Sequence, residues 1–138
     1  MNADGAPGIR LADSQGKNRG MFGLLADGSP FFGLYAAQGK TRGEFIQNAD
    51  GSMGILLSDA QGEPRVAFTL GANGSPGIGL HDAQGKMRGY FGMDAQGATG
   101  IVLLDAQKKL RGKFGLLADG APLIGLYDAR EKTIWSAP

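Results

Sequence analysis

The sequence predicts an all-β protein built from six β-hairpin repeats, which give twelve antiparallel strands. The first observation is a turn glycine that recurs every 23 residues along the chain, at Gly5, Gly28, Gly51, Gly74, Gly97 and Gly120. The second is that apolar residues alternate with small or polar residues between these glycines, as in half-buried strands. The third is glycine itself, which accounts for 25 of 138 residues, against a usual share of about 7 %. No segment has the 3.6-residue apolar period of a helix.

Other residues keep the same 23-residue step without an insertion. The arginines of the repeat are Arg19, Arg42, Arg65, Arg88 and Arg111, and the phenylalanines are Phe22, Phe45, Phe68, Phe91 and Phe114. A second turn glycine stands at Gly16, Gly39, Gly62 and Gly85, and is replaced by Lys108 and Glu131 in the last two copies. We therefore predict a single repeat domain over residues 1–138, with hairpin units at 5–27, 28–50, 51–73, 74–96, 97–119 and 120–138.

Each unit is predicted to form a strand, a turn, a returning strand and a second turn, as in unit 74–96. A two- or four-residue loop is expected at the first turn, and a three-residue type I turn with a bulge at the second. The pairs that follow are Leu80–Gly89, Ile78–Phe91, Phe22–Phe32 and Leu24–Pro30. Both turns then keep the Ile, Leu and Phe residues on one face, which we expect to be the core. The other face carries glycines, the arginines and variable residues.

A sheet with one apolar face must cover that face. We expect the twelve strands to close into a shallow barrel of roughly 11 Å radius, with either a packed apolar centre or an apolar channel. Trp135 is then expected to seal the junction between the last strand and the first. The alternative is a β-trefoil, because a period of 46 places a ring in every second hairpin, at Tyr35, His81 and Tyr127. The pseudo-symmetry is thus both six-fold and three-fold.

The motif G-S-P-x-I-x-L-x-D-x-x-G-K-x-R over residues 74–88, and the tail over residues 133–138, resemble a group of bacterial hairpin-repeat proteins with the β-flower fold. That fold is similar in outline to the C-terminal barrel of tubby proteins, which binds lipid headgroups and has a helix through its middle. The resemblance covers the whole chain and implies a shallow barrel of radiating hairpins. It implies no particular activity, and this sequence has no segment that could form the central helix.

The residue types argue against catalysis. One His, no Cys and no clustered carboxylates provide neither a nucleophile–base pair nor a metal-ligand set. We therefore expect a protein that is not an enzyme, with no catalytic residue, metal or cofactor. The recurring turn residues Asp13, Asp59, Asp82, Asp105 and Asp128, and Asp4, Asp27, Asp50, Asn73 and Asp119, are expected to accept hydrogen bonds from turn amides.

The candidate binding residues are arginines that flank a ring in the predicted register. The sets are Arg19–Tyr35–Arg42, Arg65–His81–Arg88, and Arg111–Tyr127 with Ile134 in place of the sixth arginine. Such a set could bind an anion or stack on a sugar or a base. The simpler interpretation is a surface cation–π ladder that covers exposed backbone.

We therefore predict a non-catalytic binding module, for an apolar or amphiphilic small molecule in the barrel centre or an anion at the Arg–ring sets. The alternative is a structural protein that self-assembles as a homo-oligomer. A net charge of +1 gives no reason to expect nucleic acid as a partner. No apolar run approaches the roughly 18 residues of a membrane helix, and Met1 to Arg10 lack a signal-peptide pattern. We expect no transmembrane segment, and the cytoplasm is the favoured compartment.

Overall fold

The fold is a β-sheet whose twelve strands follow one another in sequence order. The structure is a computed structural model that describes residues 7–137; Asp4 and Gly5 of the first predicted turn lie outside them. The strands are β1 (Gly8–Ala12), β2 (Asn18–Leu24), β3 (Pro30–Tyr35), β4 (Thr41–Gln47), β5 (Met53–Ser58), β6 (Pro64–Leu70), β7 (Pro76–His81), β8 (Met87–Met93), β9 (Thr99–Leu104), β10 (Leu110–Leu116), β11 (Pro122–Tyr127) and β12 (Thr133–Ala137). No helix occurs in this range.

Every strand pairs antiparallel with its neighbours in sequence. This confirms the predicted all-β class and the twelve antiparallel strands. It does not match the division into barrel and cap hairpins that defines a trefoil. Within residues 7–137, β1 pairs only with β2 and β12 only with β11, so hydrogen bonds do not close the sheet.

The predicted register is confirmed, but one of the two predicted loops is wrong. The structure contains the pairs Leu80–Gly89, Ile78–Phe91, Phe22–Phe32 and Leu24–Pro30. The first turn is not a two- or four-residue loop. The amide of Asp82 donates to the carbonyl of Lys86, which leaves a three-residue loop. Leu25 and Ser29 are bonded in the same way in the second kind of turn.

A β-bulge at the arginine of each hairpin reconciles this loop with the observed register. In the hairpin of β7 and β8, His81 pairs with Met87 and Leu80 with Gly89, so Arg88 is the extra residue. The other extra residues are Arg19, Arg42, Arg65, Arg111 and, in the last hairpin, Ile134. A one-residue bulge shifts the alternation by one position. Because 23 is an odd number, residues 23 positions apart would lie on opposite faces if both loops had three residues and the strands had no bulge. The bulge returns these equivalent residues to the same face.

Paired residues of neighbouring strands lie on the same face, so the register assigns every paired side chain to a face. We call the face that carries the Ile, Leu and Phe residues of the repeat the apolar face. Its large members include Ile9, Leu11, Phe22, Phe32, Leu34, Phe45, Ile55, Leu57, Phe68, Ile78, Leu80, Phe91, Ile101, Leu103, Phe114, Ile124, Leu126 and Trp135. We call the other the glycine face, because Gly33, Gly77, Gly79, Gly92 and Gly125 lie on it.

The prediction that the apolar face forms the core is wrong for the single chain. Phe68 is 41 % exposed, and Ile9, at the edge of the sheet, is 64 % exposed. The buried apolar residues of the described chain are Phe31 and Ala67, and both lie on the glycine face. The physical reason is that each strand contacts only its sequence neighbours, so no second layer covers the apolar side chains.

Trp135 does not sit at a junction between the first and last strands. It pairs with Leu126 of β11 on the apolar face and is half exposed. Among the described residues, β12 makes contacts with β11 and none with β1. The predicted sealing role is therefore not observed.

Candidate functional site

The most prominent candidate site is an open groove of about 510 Å³ on the apolar face, across β4 to β9. Its centre is a row of directly paired side chains, Phe45, Ile55, Phe68, Ile78 and Phe91. Apolar residues at the strand ends extend the lining toward the turns. These residues are Met53, Leu70, Pro76 and Met93. The groove therefore offers dispersion contacts and apolar surface, and no charged residue lines it.

The row of paired side chains continues beyond the groove on both sides. Toward the N-terminus it includes Phe32, Phe22 and Ile9, and toward the C-terminus Ile101, Phe114 and Ile124. A second row alternates Leu with Gly or Val until Trp135. Within residues 7–137 no charged side chain lies on this face by register. The groove is therefore one part of an apolar surface that extends over the whole sheet.

The two ends of the strands differ in charge. We call the end at residues 12–19, 35–42, 58–65, 81–88, 104–111 and 127–134 the basic rim, because it carries twelve Lys or Arg and seven Asp or Glu residues. We call the end at residues 24–30, 47–53, 70–76, 93–99 and 116–122 the acidic rim. It carries four carboxylates, at Asp27, Asp50, Asp94 and Asp119, and no Lys or Arg. The apolar face is thus bounded by ends of opposite net charge.

The candidate arginines connect neighbouring hairpins along the basic rim. The guanidinium Nε of Arg42 donates to the carbonyl of Ser58 at 3.0 Å, and that of Arg65 to the carbonyl of His81 at 3.0 Å. Arg88 donates in the same way to Leu104 at 2.9 Å. Each bond joins two paired strands of neighbouring hairpins, one position beyond their last backbone pair at this rim, which is a structural role for the repeated arginine.

In the central candidate set, the two arginines donate hydrogen bonds to different hairpins. Arg65 binds the backbone of His81, whereas Arg88 extends away to the next hairpin. Each of these arginines also lies 3.4 Å from an aspartate of its own turn, Asp59 for Arg65 and Asp82 for Arg88. Arg19 and Arg111 occupy the equivalent bulges. Anion binding by these sets stays a prediction.

The ring residues lie over glycines of the glycine face. A Cβ at Gly33 would be 2.6 Å from the hydroxyl of Tyr35, and one at Gly125 would be 2.5 Å from that of Tyr127. His81 covers Gly79 in the same way, with its Cε1 3.2 Å from such a Cβ. The glycines at these positions therefore make room for the rings, which is why glycine and ring recur together every 46 residues.

The surroundings of the three rings differ, because a different residue of the next strand pairs with the glycine that each ring covers. Glu44 pairs with Gly33, Tyr90 with Gly79 and Lys113 with Gly125. Burial raises the pKa of the Tyr35 hydroxyl, and the negative charge of Glu44 raises it further. A carboxylate beside Tyr35 disfavours an anion there, so the three sites are not equivalent anion sites.

The turn aspartates act as predicted. Asp82 Oδ1 accepts hydrogen bonds from the amides of Gln84 and Lys86, both at 3.0 Å. The same bonds from residues two and four positions on are made at Asp13, Asp59, Asp105 and Asp128. Asp27, Asp50, Asn73 and Asp119 each accept from the residue two positions on. Asp4 lies outside the described residues.

Neither a protein-family model nor a curated protein matches this chain. Among residues 7–137 there is no group of three or more His, Asp or Glu residues that could hold a metal ion. No helix in that range is long and apolar enough to span a membrane.

Proposed function

We propose that this protein is a non-catalytic binding module whose binding surface is the apolar face of the sheet. The observation that supports this proposal is the groove of about 510 Å³. Small-molecule sites have volumes of about 300–1,000 Å³ and are mostly apolar. The groove fits that description in size and in chemistry.

The ligand we propose is an apolar or amphiphilic molecule with a chain that lies along the phenylalanine and isoleucine row. The groove adjoins the acidic rim, since Met53 and Met93 line it and the turns at these residues carry Asp50 and Asp94. A cationic or neutral head group is therefore favoured over a carboxylate.

Two probes of equal chain length test this ligand class. We expect dodecyltrimethylammonium to bind more tightly than dodecanoate in a calorimetric titration below their micelle concentrations. Phe68→Ser should weaken binding, because Phe68 lies in the centre of the groove. Phe114→Ser is the matched control, because Phe114 occupies the same row outside the groove. Equal effects of the two substitutions, or no binding of either probe, would exclude the groove as the site.

Self-association is the second candidate, and the extent of the apolar face favours it. Large exposed hydrophobic residues occur from Ile9 on β1 to Trp135 on β12. Monomeric soluble proteins rarely expose apolar patches of more than a few hundred Å². A ligand that fills the groove covers only β4 to β9.

Closure of the sheet into the shallow barrel also stays a prediction. It would enclose the apolar face as a packed centre or a channel and would bring β1 next to β12. The chain has no cysteine, so a double variant with Arg10→Cys on β1 and Ser136→Cys on β12 reports on closure directly. An intramolecular disulfide supports the barrel, and two free thiols under oxidising conditions argue for an open sheet.

A further inference from the structure

The single chain exposes more surface than a compact monomer of its size. Its accessible surface is 8826 Å², whereas a folded monomer of 14.3 kDa exposes about 6,800 Å². The excess of about 2,000 Å² per chain would give an interface of about 4,000 Å² between two chains, which lies in the range of obligate homodimers. No described side chain is fully buried, so the chain lacks the core that such an interface would provide.

The charges at the two rims determine how two such faces can meet. Two identical sheets that pack face to face are related by a two-fold axis between them. If that axis runs along the strands, each rim faces the same rim of the other copy. If it runs across the strands, the basic rim of each copy faces the acidic rim of the other. The second arrangement places Asp27, Asp50, Asp94 and Asp119 opposite the lysines and arginines.

We propose that a second copy of this chain covers the apolar face, with its strands reversed so that the basic rim of each copy lies over the acidic rim of the other. The two apolar faces then form the core of a dimeric sandwich, whose sheets are separated by about 10 Å. This inference rests on the binding role proposed for the apolar face and names the partner that covers most of it.

A second copy fits the surface better than a membrane does. A lipid surface would place both rims at the head groups, where anionic lipids attract the basic rim but repel the four carboxylates of the acidic rim. A reversed copy instead pairs these carboxylates with cations. The described part of the apolar face between the rims has no charged side chain by register, so its burial against the same surface of the second copy buries no unpaired charge.

Cross-linking between single cysteines tests the orientation. Ala72 lies in the turn between β6 and β7, at the middle of the sheet on the acidic rim, and Ala83 lies in the next turn, on the basic rim. Both are exposed turn residues. We expect a bismaleimide that spans about 10 Å to join Ala72→Cys to Ala83→Cys in a mixture of the two proteins. Each variant alone should give little product.

Three results would overturn the proposed arrangement of the two copies. Efficient cross-linking of Ala72→Cys with itself would show that like rims meet, because that turn would lie on the axis along the strands. A monomeric mass by light scattering at all concentrations would exclude a second copy on the face. Edge-to-edge pairing of β1 or β12 would give dimers that still bind a hydrophobic dye on the apolar face, and this would also overturn the proposal.

A matched pair of substitutions tests the face itself. Leu103 is on the apolar face outside the groove, and the adjacent Val102 is on the glycine face. Leu103→Lys should raise the dimer dissociation constant by about 30-fold or more, whereas Val102→Lys should leave it nearly unchanged. Equal effects would mean that the interface is elsewhere.

The same samples separate this inference from the proposed ligand. Native mass spectrometry with dodecyltrimethylammonium reports the number of chains and the number of bound probes together. Dimers that bind no probe would overturn the ligand in the groove and leave the second copy in place. Monomers that bind the probe would overturn the second copy and leave the ligand in place.

Discussion

Lys108 and Glu131 occupy turn positions where the other hairpins have glycine, and both have a positive φ, of 62° and 61°. A side chain in this left-handed conformation costs about 1–2 kcal/mol relative to glycine. We expect Lys108→Gly to raise the free energy of unfolding by about 1 kcal/mol, measured by urea denaturation. Gly85→Ala, at the equivalent turn with φ 71°, should lower it by a similar amount. A destabilised Lys108→Gly protein would mean that the lysine side chain has a stabilising role of its own.

The turn carboxylates make stability depend on pH. Hydrogen bonds from the Lys86 and Gln84 amides, together with Arg88, lower the pKa of Asp82 from its ordinary value of 3.8, against a smaller opposing effect of desolvation. Because the pKa is lower in the folded state, the stabilisation is complete well above the ordinary value of 3.8 and is lost as the pH falls through 3.8 toward the folded value. We expect the free energy of unfolding to fall in acid below pH 4. Asp82→Asn keeps the Oδ1 acceptor but cannot titrate, so it should reduce this dependence.

At the scale of the hairpin, the register and the apolar face could be predicted from the sequence, whereas the bulge and the first loop were missed. Pairing Ile78 with Phe91 required only the alternation of apolar residues. The bulge at Arg88 was also open to prediction. With two three-residue loops, a repeat of 23 residues keeps equivalent side chains on one face only if each repeat contains one extra residue. Turn composition alone did not reveal it, because Asp82-Ala83-Gln84-Gly85 fits loops of several lengths. The contact from Arg65 to the carbonyl of His81 has no signal in a single sequence.

The bulge predicts different outcomes for two changes at the same position. Arg42→Ala removes one hydrogen bond to Ser58 and should lower the free energy of unfolding by about 1 kcal/mol. Deletion of Arg42 also removes the bulge, and it moves the side chains on one side of it to the opposite face. We expect a loss of more than about 4 kcal/mol, or no folded protein, by circular dichroism and urea denaturation. A deletion variant as stable as Arg42→Ala would show that the extra residue does not set the register.

At the scale of the whole molecule, the sequence identifies an apolar face but not what covers it. A periodicity of two shows that Phe68 and Ile78 share a face, and the same pattern suits a barrel, a sandwich of two chains or a ligand site. The choice depends on contacts between distant parts of the chain or between chains. In the structure these contacts are absent among residues 7–137 beyond neighbouring strands. The rims, by contrast, could have been recognised from the sequence, because their charges follow the two kinds of turn.

Phe68→Ala distinguishes a core within one chain from a core between two. A core phenylalanine costs about 3–5 kcal/mol when replaced by alanine, but Phe68 is 41 % exposed in the single chain. We expect a loss of about 1–2 kcal/mol at concentrations where the protein is monomeric. At concentrations where it is dimeric the loss should reach about 3–5 kcal/mol, because the wild-type side chain is then buried and dimerisation is linked to folding. Urea denaturation at protein concentrations that differ a thousandfold measures both values. A large loss that does not change with concentration would place Phe68 in a core within one chain, as the closed barrel requires.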